Sequence, residues 1–191
     1  MALQAGIVGL PNVGKSTLFN RLTRADVLAQ DMLFATLDPT LRGLRLPHGA
    51  KVMLSDTVGF ISDLPTMLVS AFRATLEEVI EANVILHVRD VSHEDTEAQL
   101  HDVEAVLRSL GIEPADEQRL IEVWNKIDAL DAEGRLRVKN LADRRPPERR
   151  PVLVSALTGE GLDDLSNAIE QRLSVKRVVL DLTLDPADGA G

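Results

Sequence analysis

Apolar positions along this chain follow two periods that alternate. Ala5 to Leu10, Val84 to Val88, Leu120 to Trp124 and Val152 to Val154 are short apolar runs, the pattern of strands covered on both faces. Between them the spacing lengthens to that of helices. Lys15 to Arg24 reads as a helix entered directly from a glycine loop. Leu68, Phe72, Leu76, Val79 and Ile80 share one helical face. Leu100, Val103, Val106, Leu107 and Leu110 stripe another helix, stopped by Gly111, and Leu162, Leu165, Ile169 and Leu173 mark a closing one. Leu41 to Leu46 and Lys51 to Ser55 flank Pro47-His48-Gly49, the signature of a hairpin. The alternation predicts an α/β fold built on a mostly parallel sheet.

Two stretches break the pattern. Residues 25–40 keep no steady period, end in Asp38-Pro39-Thr40 and read as a long, mobile connection. Val175 to Leu184 alternates like a strand without a remaining partner, and the rest is loop-like. The expected division is therefore a domain over residues 1–174, followed by a linker or the start of a truncated further domain over 175–191.

Composition narrows the function classes. The chain has 191 residues, 45% of them hydrophobic, enough for one core without disulfides or metals. It has no cysteine, which excludes thiol nucleophiles and thiolate metal sites. A net charge of −9 excludes a general cationic field for nucleic acid or anionic membrane. No apolar run is long enough for a membrane span and no apolar signal segment leads the chain, so a soluble, cytoplasmic monomer without membrane contact is expected. The one basic cluster, Arg144-Arg145-Pro146-Pro147-Glu148-Arg149-Arg150, reads as a solvated loop, with an RNA or partner contact as the alternative.

The chemistry starts at Gly9-Leu10-Pro11-Asn12-Val13-Gly14-Lys15-Ser16-Thr17, placed between a strand and a helix. Two glycines flanking four residues before Lys-Ser form a phosphate loop, and this makes the predicted fold a P-loop NTPase. The glycines let the backbone approach the phosphates where a Cβ would collide. Main-chain N–H groups of Asn12 to Thr17 and the helix N-terminus then face the anionic oxygens. Lys15 is expected to reach the β- and γ-phosphates and the Ser16 hydroxyl to ligate Mg²⁺.

Other strand ends choose the base. Asn125-Lys126-Ile127-Asp128 follows a strand, where loops meet a nucleotide at the carboxyl edge of a sheet. The Asp128 carboxylate can accept the N1 and exocyclic amino hydrogens of guanine; adenine leaves it unpaired, at a cost of ~1–3 kcal/mol. Asn125 is expected to hold neighbouring loops and Lys126 to lie along the ring. Ser155-Ala156-Leu157 follows the last strand, and the Ala156 N–H is the expected donor to the guanine carbonyl. Asp56-Thr57-Val58-Gly59 ends a further strand: Asp56 is expected to hold Mg²⁺ through a water and the Gly59 N–H to bind the γ-phosphate. Thr36, with Thr40 as competitor, is expected to complete the Mg²⁺ shell, both segments being ordered by the γ-phosphate.

Longer runs carry a resemblance. Leu33-Phe34-Ala35-Thr36-Leu37-Asp38-Pro39-Thr40, Asp56 to Pro65, Ala71-Phe72-Arg73-Ala74-Thr75-Leu76-Glu77-Glu78 and Ser155 to Leu162 are similar to HflX-type GTPases over about residues 20–190. The resemblance implies a six-stranded Ras-like sheet flanked by helices, slow hydrolysis of GTP to GDP, association with the large ribosomal subunit, and rescue or splitting of stalled ribosomes. It also implies a domain ahead of the GTPase. The family usually has Tyr-Thr where this chain has Leu10-Pro11, and residues 1–20 look more like Obg-like ATPases, as in a spliced chain. An ATPase of that kind, or a nucleotide-dependent ribosome-binding module with negligible turnover, remain the alternatives. Where many GTPases place a glutamine to orient water stands Phe60, read as an apolar anchor, which leaves Lys15, Thr36 and Gly59 as the catalytic groups. Asn12 stands where related GTPases use an asparagine to hold K⁺ against the phosphates; a local loop role weighs equally. His48, His87, His93 and His101 lack metal-ligand spacing, Trp124 reads as strand core rather than a stacking platform, and Arg73 and Arg89 read as surface ion pairs, with contact to a partner or the switches as the alternative.

Overall fold

A computed structural model describes residues 3–23, 40–56, 76–77 and 79–174. The elements are β1 (Leu3–Val8), α1 (Lys15–Thr23), β2 (Thr40–Arg45), β3 (Lys51–Asp56), β4 (Val84–Asp90), α2 (Thr96–Ser109), β5 (Leu120–Asn125), α3 (Ala132–Asp143), β6 (Val152–Leu153) and α4, over 162–174. The expectations at Thr36, Gly59, Phe60 and Arg73, and the segment 175–191, lie outside the described residues.

The six strands form one sheet in the order β2-β3-β1-β4-β5-β6. All neighbours are parallel except β2 and β3, the hairpin predicted around Pro47-His48-Gly49. β4 is buried at every position, and the last four residues of β1 are buried, which is why these strands read as unbroken apolar runs. Leu165, Ile169 and Leu173 of α4, Val103 and Leu107 of α2, and Leu18 and Phe19 of α1 join the strands in one core. Ile80 departs from its expected face: it is exposed, while Leu76 and Val79 are buried. α2 ends at Gly111 as read, through a left-handed turn at φ 82° that a side chain there would strain. Asp131 caps α3 by accepting from the Gly134 N–H at 2.7 Å.

Parallel pairing brings the carboxyl ends of β1, β3, β4, β5 and β6 to one edge. Ile7 stands beside Asp56, Val8 beside His87, Asp90 beside Asn125 and Trp124 beside Leu153. The loops leaving that edge carry the expected chemistry. At the opposite edge the hairpin is held to α4: both carboxylate oxygens of Glu170 accept from the His48 N–H at 3.2 Å, and Glu170 also meets His48 Nδ1 at 3.1 Å.

Candidate nucleotide site

The loop after β1 has the backbone form that its motif demands. Asn12 and Gly14 are left-handed, at φ 65° and 99°, and such turns aim successive N–H groups to one side. A side chain at Gly9 would stand 2.6 Å from the Val88 carbonyl oxygen, and one at Gly14 would collide with the Asn125 amide. The loop runs straight into α1, whose first N–H groups find no partner within the helix. Lys15 is buried, and its Nζ donates to the Leu10 carbonyl at 2.7 Å. Burial pushes its pKa down to about 8, against the pull of the Asp56 charge. Ser16 donates to Asp56 Oδ2 at 2.9 Å, joining the start of α1 to the end of β3.

Asn125 connects the two halves of the site. Its amide nitrogen donates to the Val13 carbonyl at 2.8 Å, while its oxygen accepts from the Ala156 N–H at 3.0 Å. The Ala156 N–H, the expected donor to the guanine carbonyl, is the group that Asn125 holds here. The same side chain fulfils the loop-holding expectation for Asn125. Asp128 accepts from the Ser155 hydroxyl at 2.7 Å, and Ser155 Oγ accepts from the Thr158 N–H at 3.0 Å. Lys126, at φ 71°, donates to the Asn12 carbonyl at 2.7 Å and pairs with Asp90 at 3.3 Å. Gly161 at φ 80° lets this base-side loop lie on Leu153, whose carbonyl any side chain there would strike.

One neighbour was missed by the sequence reading. Arg21, in the last turn of α1, donates from Nε to the Ala156 carbonyl at 3.1 Å and from a terminal nitrogen to the Leu157 carbonyl. Bonds to main-chain carbonyls leave no residue pattern, so no sequence signal marked it. Behind the site, Arg89 is buried and not the expected surface cation: it pairs with Glu122 and, at 3.2 Å, with Glu97. Its guanidinium and that of Arg145 lie 5.6 and 5.2 Å from the Trp124 ring centre. Arg145 also pairs with Glu122, so the basic cluster is docked at one end and not wholly a solvated loop. Burial pushes the Glu122 carboxyl up, but the Trp124 indole, Arg89 and Arg145 outweigh it and hold the group below the usual range. His87, buried in β4, is pushed down to about 4 by that burial and stays neutral. No cluster of three or more metal-ligating side chains occurs among the described residues. None of their helices is long and apolar enough to cross a membrane.

Mg²⁺ fits the oxygens that are present. A hydroxyl and a carboxylate 2.9 Å apart at the head of the phosphate loop are hard donors, and this ion takes one or two such groups plus substrate phosphates.

Residues 4–126 match the model of the 50S ribosome-binding GTPase family. The chain is 45% identical over 183 residues to GTPase HflX of Magnetococcus marinus, covering 96% of itself and 40% of that protein. It is 49% identical over 177 residues to GTPase HflX of Lacrimispora saccharolytica, covering 93% of itself and 40% of the relative. The chain thus spans about 40% of the length of these relatives. Among solved structures, a tyrosine-to-alanine variant of Aquifex aeolicus Era bound to GDP·AlF4⁻ superposes with a TM-score of 0.71 at 28% identity, over 90% of this chain and 57% of that one. The phosphate loop, the strand-end loops and these likenesses agree: the chain belongs to the 50S ribosome-binding GTPase family and is a GTPase domain of the HflX type.

Proposed function

We propose that this chain binds GTP with Mg²⁺ and hydrolyses it slowly to GDP and phosphate, as the switch domain of a protein that acts on the large ribosomal subunit. The observation that supports this most is the Asn125 bridge, because one side chain binds both the phosphate loop and the base-side loop. It joins two motifs that lie far apart in sequence. Main-chain amides of Asn12, Val13, Gly14, Lys15, Ser16 and Thr17 and the Lys15 ammonium hold the phosphates. The Ser16 hydroxyl would ligate Mg²⁺, and Asp56 would hold it through a water. Asp128, oriented by Ser155, reads the guanine edge, and the base-side loop of Ser155, Ala156 and Leu157 walls the ring, with Lys126 along its face. Mg²⁺, when bound, neutralises charge that develops on the β- and γ-phosphates. Thr36 is assigned to the Mg²⁺ shell and the Gly59 N–H to the γ-phosphate, and Phe60, in place of a water-orienting glutamine, is the reason turnover is slow. Asn12 is assigned to K⁺.

Residues 1–174 form the GTP-binding domain and 175–191 lead into a further one; the protein is cytoplasmic and monomeric. A reading without turnover, as a nucleotide-dependent ribosome-binding module, is separated by single-turnover hydrolysis with and without large subunits. Calorimetry with GDP and with non-hydrolysable GTP and ATP analogues tests the main reading. Both guanine ligands are expected to bind and the ATP analogue to fail. Asp128→Asn is expected to shift preference towards xanthine nucleotides by about tenfold or more. No heat with either guanine nucleotide overturns it.

A further inference from the structure

We propose that Arg21, which belongs to no nucleotide motif, is a positioning residue for the base-side loop and sets how long guanine nucleotide stays bound. This rests on the reading that the chain binds guanine nucleotide. Arg21 engages two consecutive carbonyls of that loop, those of Ala156 and Leu157. A planar fork on two acceptors fixes direction as well as distance, which a single flexible donor does not. The same Ala156 peptide is gripped on its other side, where its N–H donates to Asn125. Ser155, one residue earlier, is bonded to Asp128. The loop that carries these contacts is therefore clamped at its N–H by Asn125 and at its carbonyls by Arg21.

The clamp is built on the phosphate-binding helix itself. Lys15 opens α1 and Arg21 stands in its last turn, about 9 Å along the axis at the helical rise. One rigid element thus carries the phosphate grip at its start and the base-loop grip near its end. Gly159, left-handed at φ 91°, lies in van der Waals reach of the Arg21 guanidinium on the same loop. Arg135 supplies an internal comparison. It pairs with the Glu160 side chain at 3.1 Å, on the same loop, without touching a loop carbonyl.

The test is release of fluorescent GDP in Mg²⁺ from the full chain, for the wild type, Arg21→Ala, Arg21→Lys and Arg135→Ala. Release from Arg21→Ala is expected to be about 3- to 10-fold faster, the worth of one or two exposed hydrogen bonds. Arg21→Lys should fall between that variant and the wild type. Millimolar guanidinium should slow Arg21→Ala, and Arg135→Ala should match the wild type. Nucleotide-free Arg21→Ala should melt within about 2 °C of wild type, which separates loop positioning from general stability. If Arg21→Ala does not fold, Arg21→Lys decides alone: release faster than wild type supports the assignment. Wild-type release rates in both Arg21 variants, or equal acceleration by Arg135→Ala, overturn it while the nucleotide reading stands. A wild type that takes up no labelled GDP overturns that reading and this one together.

Discussion

Lys15 illustrates what a single buried group imposes. Burial lowers its pKa from 10.5 to about 8, so between those values the unfolded chain holds more protons than the folded one. Stability of the nucleotide-free protein therefore rises as pH climbs from about 8 towards 10.5. Phosphate beside the ammonium favours the charged form, so binding within this range takes up protons and weakens with rising pH. Calorimetry of GDP binding at pH about 8.5, in two buffers of different ionisation enthalpy, checks this: the heats are expected to differ, and identical heats would remove the coupling. At this scale the sequence reading was uneven. Lys15, Asp56 and Asn125 were legible because motif chemistry demands those types at those spacings. The bond from the Ala156 N–H to Asn125 was not legible, because the two residues lie thirty-one apart and meet only through the fold. Arg21 was invisible because its acceptors are main chain.

Among elements, β4 and β5 stand out. Glu122, flanked by Arg89 and Arg145 and accepting from the Trp124 indole at 2.8 Å, sits in a strand that otherwise reads as apolar. Removing it leaves the Arg89 cation buried without its main counter-charge. Glu122→Ala is therefore expected to cost about 3 kcal/mol in urea unfolding, with the Arg89→Leu/Glu122→Leu pair costing less than the single change. A double variant that loses as much as the two single changes summed would refute this ion-pair account. Periodicity placed these strands correctly, since burial on both faces produces apolar runs. It missed the network because the pairing that makes charge tolerable inside is set by register, His87 beside Glu122 and Arg89 beside Trp124, and not by spacing along the chain.

Across the whole molecule, strand order and parallel pairing bring five strand ends to one edge; alternation of apolar runs was enough to foresee a mostly parallel sheet, though not its strand order. What remained hidden is whatever the chain does with its nucleotide once bound, because partners are specified by surfaces and not by periods. Asn12 offers one measurable handle. Its carbonyl is held by Lys126 and its backbone is left-handed, which fixes the residue at the mouth of the loop. Exchanging Na⁺ for K⁺ is expected to raise single-turnover hydrolysis several-fold, since a monovalent cation there would supply charge that an arginine finger supplies elsewhere. Equal rates in the two salts would remove K⁺ from the site.

The Glu170 contact with His48 bears on the far end of this arrangement. β3 runs from that hairpin to Asp56, so a strand tethered at its tail cannot slide lengthwise without breaking the tether. Asp56 is thereby a fixed post, and α4, which supplies the tether, is the helix from which the chain continues at residue 175.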